Sequence, residues 1–195
     1  MTTTGGPGGP SPRTRELHVS VVIHAPPERV YAALRDVRRM ARWSPECVGV
    51  LVFRGRGGTR PSFVGFNRNG PRLWFTFCRV TTAVAPTEFA FRVSIAGLPL
   101  ATWGFRLAPA GTDGIGADGI GTEGPGATYV TQYWQDLRRG ARGRVADLLG
   151  AAVAGTSPAA RVRTNRSGMD TTLRRLKRSL EAAPEEGCAP RPPAR

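Results

Sequence analysis

The chain has 195 residues, 40% of them hydrophobic, which is enough for one sizeable core and short for two. It carries 28 basic against 14 acidic residues, a formal net charge of +14, and Lys177 is its only lysine. No apolar run approaches the roughly 20 residues that span a bilayer, and three cysteines without CxxC spacing argue against a disulfide framework or a zinc site.

These features predict one domain in a reducing compartment, the cytoplasm. An excess of arginine suits contact with polyanions, but a basic surface scattered over a folded domain is the favoured interpretation. The stretch "GRGG" lacks the lysine and the helix start of a phosphate-binding loop. We therefore expect no metal and no cofactor.

Both ends of the chain and one internal stretch predict disorder. Residues 1–15 and 184–195 are dominated by small residues and proline without apolar anchors, so they cannot bury enough surface to offset the entropy of ordering. Residues 109–127 contain the near-repeat "DGIGADGIG" and predict a flexible Gly-rich loop between two strands. A single domain over residues 16–183 contains this loop and excludes both tails.

The first predicted element is a strand that turns directly into a helix. From Leu17 to Ile23 the apolar residues fall at alternate positions, which is the period of a strand. Amides in the first turn of a helix lack intrahelical partners, so Pro26 and Pro27 predict a helix start in "APPE". The stretch "DVRRMARWSPE" predicts a second short helix that closes at Ser44-Pro45.

Six further strands and two helices follow. The strands are predicted in residues 47–138, as "CVGVLVF", "SFVGFN", "RLWFTFCRV", "EFAFRVSI", "LATWGFRL" and "TYVTQYWQDL". A helix is predicted over 144–154, and a longer one from Ser157-Pro158, a favourable cap and first residue. The longer helix carries an apolar stripe formed by Val162, Met169, Leu173, Leu176 and Leu180.

This order predicts an α+β fold in which a curved, seven-stranded antiparallel sheet grips the long C-terminal helix. That helix is the only long amphipathic element available to cover the apolar face of the sheet. The two short helices close only one end, so a cavity between the sheet and the helix is expected.

Four stretches carry a family resemblance: "VSVVIHAPPERVYAALRDVRRMARWSPE", "FVGFNRNGPRLWFTFCRVT", "EFAFRV" and "RTNRSGMDTTLRRLKRSLE". They resemble the polyketide cyclase/dehydrase group of the START/Bet v 1-like (SRPBCC) superfamily, over residues 16 to about 182. The resemblance implies a helix-grip fold. It also implies relatives that include lipid and sterol carriers, hormone receptors and aromatic polyketide cyclases.

Charged residues mark the outer face of each strand and so indicate which side chains point inward. Arg92 and Arg106 predict that the aromatic residues of the fifth and sixth strands face the cavity. In "RLWFTFCRV" the two arginines have opposite parity, and the family pattern favours the set of Trp74, Thr76, Cys78 and Val80 as inward. This choice leaves Phe75 and Phe77 partly exposed or at a partner interface.

The candidate ligand-binding residues combine apolar walls with a few polar groups that would orient a ligand. Ordinary core packing is the alternative for the aromatic residues, and turn chemistry or strand propensity is the alternative for the polar residues. The candidates are Asn67, Trp74, Thr76, Cys78, Phe89, Phe91, Trp103, Phe105, Tyr133 and Met169.

The favoured function is the binding of a small hydrophobic or amphipathic molecule, lipid-like or polyketide-like, without chemistry. The alternative is a polyketide cyclase or dehydratase. No catalytic residue is predicted, because His18 and His24 share a solvent-facing side of the first strand and Cys78 fits a buried, inert thiol. No specific nucleic acid is expected as a partner, while "RRGARGR" suggests transient contact with an anionic membrane. The sequence predicts no oligomeric state.

Overall fold

The computed structural model describes residues 14–53, 61–110, 126–155 and 158–182. The predicted tails and the Gly-rich loop fall almost entirely outside these residues. Within the predicted domain of residues 16–183, the structure describes all residues except 54–60, 111–125, 156–157 and 183.

Seven antiparallel strands form one sheet in the order β1-β7-β6-β5-β4-β3-β2. Strands β2 to β7 form a meander, and β1 pairs with β7, so β1 and β2 are the two edges. The strands are β1 (Glu16–Ile23), β2 (Cys47–Phe53), β3 (Ser62–Asn69), β4 (Arg72–Val84), β5 (Glu88–Ile95), β6 (Leu98–Pro109) and β7 (Thr128–Asp136).

The helices lie between β1 and β2 and after β7. The first group is α1 (Pro27–Arg35), a 3₁₀ turn (Val37–Arg39) and α2 (Met40–Trp43). The second group is α3 (Gly140–Ala154) and α4 (Pro158–Glu181). The predicted second short helix is thus divided into a 3₁₀ turn and a single α-turn, and α3 begins four residues earlier than predicted.

The junction between β1 and α1 follows from its two prolines. Pro26 is the N-cap in extended conformation, and Pro27 is the first helical residue, where the missing amide costs nothing. The side chain of Thr128 donates a 2.6 Å hydrogen bond to the Ala25 carbonyl. This contact ties the junction to β7, and α1 then packs against β5 and β6.

Helix α4 covers the concave face of the sheet and packs along β1. Leu173, Leu176 and Leu180 enter the main core, whereas Met169 packs in a smaller cluster. Gly155 ends α3 in the left-handed region at φ 68°, a common helix terminus. The fold is the predicted helix-grip arrangement of a curved antiparallel sheet around a C-terminal helix.

The C-terminal end of α4 is fastened to the β1–α1 junction. The Glu181 carboxylate accepts a 2.9 Å hydrogen bond from the His24 amide and lies 3.1 Å from the Lys177 ammonium. Lys177 also donates to the Val22 carbonyl at 2.7 Å. Burial opposes ionisation of Glu181, but these hydrogen bonds and the Lys177 charge outweigh it and lower the pKa of this carboxyl.

Candidate ligand-binding cavity

A cavity of about 210 Å³ lies between the concave face of the sheet and helix α4. This is more than ten times the roughly 10–15 Å³ that one water needs. Strands β3 to β7 supply one wall, α4 supplies the opposite wall, and residues of α2 and α3 close the sides. The space is therefore large enough for an organic molecule of one or a few rings.

The walls of the cavity are mainly aromatic and aliphatic. All four tryptophans of the chain line it, one from α2 and one from each of β4, β6 and β7. Phe63, Phe91 and Phe105 complete the aromatic wall, with the Phe63 and Phe91 rings 5.2 Å apart in an edge-on arrangement. An apolar wall with few polar groups is typical of small-molecule sites.

A short row of polar groups crosses β3 and β4 on the cavity wall. The Asn67 amide donates to the Gly65 carbonyl at 3.1 Å and to Thr76 Oγ1 at 3.4 Å. Thr76 Oγ1 lies 3.8 Å from Cys78 Sγ. The three side chains are held in fixed orientation by one another and by the strand backbone.

The two thiols of the cavity are protonated at neutral pH. Burial is the largest influence on Cys78 and raises its pKa to about 12, although the hydrogen bond with Thr76 opposes this. Burial also raises the pKa of Cys47. Neither sulfur has the electropositive surroundings that activate a cysteine, which agrees with the inert thiol predicted for Cys78.

One ion pair joins the two sides of the cavity rim. Arg161 of α4 donates to both carboxylate oxygens of Glu46 at 2.9 and 2.5 Å, in the bidentate geometry that arginine favours. The Arg161 guanidinium also lies 5.8 Å from the centre of the Trp74 ring. These contacts connect the start of β2, β4 and α4 across 115 residues of chain.

A second ionic cluster lies where β7 ends. Arg138 contacts Asp136 at 2.8 Å and Asp147 of α3 at 2.9 Å. Asp136 is fully buried and Arg138 is 10% exposed, so the cluster satisfies charges that would be costly if left alone. It anchors α3 against the sheet, and both Arg138 and Asp147 line the cavity.

Two polar atoms of cavity residues have no partner within the described part of the chain. These are the side-chain oxygen of Gln132 on β7 and the indole nitrogen of Trp43 on α2. Gln132 is only 5% exposed. A buried amide without a partner costs about 1–3 kcal/mol, and its terminal torsion is soft enough to turn toward another group. A molecule in the cavity could therefore supply the hydrogen-bond partner that each of these two side chains lacks.

Seven of the ten predicted site residues line the cavity. In β4 the inward set is the one favoured from the sequence, since Thr76 and Cys78 are buried while Phe75 and Phe77 are about half exposed. The seven residues are Asn67, Trp74, Thr76, Cys78, Phe91, Trp103 and Phe105.

The other three predicted residues do not line the cavity. Phe89 is buried, but it lines a second, separate pocket together with Tyr31 of α1 and Val37 of the 3₁₀ turn. Met169 is fully buried against Leu17 and Trp134, and so it belongs to the core cluster rather than to the cavity wall. The residues of α4 that line the cavity are Arg161, Thr164, Asn165, Gly168 and Thr172.

Tyr133 points to the outer face of the sheet. Its neighbours Gln132 and Trp134 line the cavity, and strand alternation places Tyr133 on the opposite side. Its ring lies over Gly104, where a Cβ atom would come within 2.3 Å of it. The hydroxyl donates to Glu88 at 2.9 Å, and burial followed by this contact raises its pKa to about 12. Tyr133 is therefore a structural residue of the convex surface.

Sequence reasoning missed most polar groups of the cavity. Gln132 could have been found from strand parity, because Gln132 and Trp134 share one face of β7. Asn165 and Gly168 of α4 also line the cavity. The ionic contacts of Glu46 and Arg138 join distant segments and carry no local signal.

The chain belongs to the family described as "Polyketide cyclase / dehydrase and lipid transport", which it matches over residues 14–181. The resemblance noted in the sequence is thus confirmed. A comparison with curated protein sequences gives no match. Among the described residues, no helix is long and apolar enough to cross a membrane.

Several solved structures share the fold at low sequence identity. A START superfamily protein from Mycobacterium smegmatis has a TM-score of 0.55 at 12% identity, covering 87% of this chain and 99% of that one. The di-domain ARO/CYC protein BexL of the BE-7585A biosynthetic pathway has a TM-score of 0.55 at 16% identity, covering 87% of this chain. The di-domain ARO/CYC protein StfQ of the steffimycin pathway has a TM-score of 0.57 at 10% identity, covering 86% of this chain. The chain spans half the length of each di-domain protein.

Proposed function

We propose that the protein binds a small, largely apolar molecule in the cavity and holds one polar end of it near Gln132. The observation that carries this proposal is an aromatic cavity with a buried amide oxygen that has no partner among the residues that the structure describes. A ligand with a hydroxyl or a similar donor would complete that amide while its rings contact the tryptophans. A hydroxylated aromatic or an amphipathic lipid-like molecule has this chemistry.

The groups around the cavity support binding rather than catalysis. A cyclase or dehydratase needs a group that can take or give a proton at the reacting position. The cavity carboxylates Glu46 and Asp147 are both ion-paired with arginine, and the thiols of Cys47 and Cys78 have raised pKa values. These groups hold the walls together and orient a ligand more readily than they would transform it.

Intrinsic fluorescence provides a direct test, because every tryptophan of the chain borders the cavity. Titration with 2-naphthol should change the tryptophan emission in a saturable manner with one molecule bound per chain. Trp103→Glu should abolish this change, because it places a charge in the apolar wall. Phe75→Glu is the matched control, since Phe75 lies about half exposed on the outer face of the sheet.

Unsaturable emission changes, or equal loss in both variants, would contradict the proposal. Native mass spectrometry of protein purified from its own host should also detect a small molecule that leaves on unfolding. If a polyketide precursor were instead returned as a cyclised or dehydrated product, the enzyme alternative would replace the binding function.

We also propose that the protein works in a reducing compartment and binds no specific nucleic acid. The two described cysteines are free thiols, which suits a reducing compartment such as the cytoplasm. The net charge of +14 should give only salt-sensitive, sequence-independent association with nucleic acids, because scattered arginines attract phosphate without reading bases. Tight binding of one oligonucleotide at physiological salt would contradict this.

A further inference from the structure

We propose that the outer face of strands β2, β3 and β4 is a docking surface for an anionic lipid membrane. This face lies on the side of the sheet opposite the cavity, so the proposal is independent of the ligand proposed above. The observations behind it are an exposed apolar patch, arginines beside that patch that form no ion pair with a described residue, and a sequence without carboxylates in this part of the chain.

The outer face of these three strands carries an apolar patch in register across the sheet. Phe66 lies opposite Phe75, and Leu51, Val64 and Phe77 form the next cross-strand row. The exposed side chains of the patch are Leu51, Phe53, Phe66, Leu73, Phe75 and Phe77, while Val64 is buried.

The patch is large for a surface that faces only water. Leu73 is 69% exposed, and Phe75 and Phe77 are 52% and 49% exposed. Since an aromatic side chain presents about 150–250 Å² in full, the patch exposes on the order of 500 Å² of apolar surface. This is at the upper end of what monomeric proteins expose, and patches of this size commonly mark interaction sites.

Arginines on the same face border the patch. Arg79 on β4 lies directly opposite Arg92 on β5, and both are exposed. Arg68 lies opposite Leu73 at the other end of the patch. None of the three forms an ion pair with any residue that the structure describes. Like charges placed opposite each other destabilise a sheet, so this pair favours an anion between or above its guanidinium groups.

The charge of this region selects a membrane over a second copy of the chain. From Cys47 to Thr87 the sequence contains six arginines and no aspartate or glutamate. A second copy seated on the patch would therefore bring more arginines and no carboxylate from this region. An anionic bilayer offers apolar chains to the phenylalanines and phosphates to the arginines at the same surface.

The chain segments outside the described residues are poor candidates to cover the patch. Residues 1–13 and 183–195 contain a single large apolar residue, Met1, and residues 111–125 contain only Ile115 and Ile120. Six exposed apolar side chains, four of them phenylalanines, need more apolar surface than these segments offer. The membrane is thus the occupant whose chemistry matches both parts of the face.

Flotation with vesicles tests the proposal with the full chain. The protein should float with vesicles of phosphatidylcholine containing about 30% phosphatidylglycerol, and bind pure phosphatidylcholine vesicles at least ten-fold more weakly. Arg79→Gln/Arg92→Gln should weaken binding about 25-fold, since each arginine near an anionic surface contributes roughly a five-fold factor. Phe75→Ser/Phe77→Ser should weaken it at least ten-fold.

The matched control removes the same charge elsewhere. Arg175 and Arg178 are exposed on α4, so Arg175→Gln/Arg178→Gln should keep vesicle binding within about two-fold of the wild type. Trp103→Glu should also bind vesicles normally, which separates this surface from the cavity. Equal losses in both arginine pairs would reduce the effect to net charge and overturn the proposal. A dimer in light scattering that Phe75→Ser/Phe77→Ser dissociates would identify the face as a contact between copies and overturn it as well.

Discussion

Replacing Gln132 by leucine should stabilise the ligand-free protein while weakening the binding of a ligand that donates a hydrogen bond. Gln132 is 5% exposed, and its side-chain oxygen has no partner among the described residues. Its cross-strand neighbours Val19 and Phe105 are apolar, so a leucine of similar size suits the site. Removing the unsatisfied acceptor should raise the free energy of unfolding by about 1–2 kcal/mol. For a chain of this size that corresponds to a rise in Tm of roughly 2–8 °C.

The effect on binding is measured by comparing the affinities for two ligands that differ by one hydroxyl group. Gln132→Leu should weaken 2-naphthol about five- to ten-fold, the equivalent of one hydrogen bond, and leave naphthalene unchanged or tighter. Urea unfolding gives the stability, and quenching of tryptophan emission gives the affinities. Gln135→Leu is the control, because Gln135 lies three residues along β7 and bonds the exposed Glu16 side chain on the outer face. It should change stability by no more than about 0.5 kcal/mol and leave both affinities unchanged.

Two outcomes would refute the reasoning. If Gln132→Leu lowered the stability of the ligand-free protein, the amide would be serving the fold and not a ligand. If both naphthalene and 2-naphthol lost affinity equally, the substitution would have altered the shape of the cavity and not a specific hydrogen bond.

Three further predictions, two of them with a control substitution, concern the contacts that stabilise the fold. Gly104→Ala should cost about 1–3 kcal/mol, because the new Cβ would lie 2.3 Å from the tyrosine ring that covers this glycine, whereas Gly65→Ala meets ordinary contacts at 3.5 Å and should be nearly neutral in chemical denaturation. Leu176→Ala, in the fully buried stripe of α4, should cost about 2–5 kcal/mol, and Leu148→Ala, at a 73% exposed site, should leave the unfolding midpoint almost unchanged. Glu181→Gln should lower Tm at neutral pH, because the pKa of this carboxyl is lower in the folded protein than its ordinary value of 4.5. The difference should be complete above pH 4.5 and disappear as the pH falls through the lower folded value, and a difference that persisted in acid would contradict the assignment.

The facing of the strands shows where local pattern was sufficient and where it was not. Arg92 and Arg106 mark the outer face of their strands, and the phenylalanines at the opposite parity are buried while Trp103 is partly buried. In β7 both faces are buried only around residues 132–134, because Tyr133 lies over Gly104 on one side and Gln132 lines the cavity on the other. A stretch that is buried on both faces has no polar alternation, so its inward set cannot be read from composition alone.

The sequence by itself determined the architecture, because the relevant signals are local. Alternation marked the strands, Pro26 and Pro27 marked the start of α1, and the leucine stripe ending at Leu180 marked the helix that covers the sheet. The tertiary structure alone decided which polar groups meet at the cavity. Glu46 and Arg161 are 115 residues apart, and they pair only because α4 folds back across the start of β2. Such contacts depend on how the elements pack, and that information is spread over the whole chain and is absent from any one stretch of it.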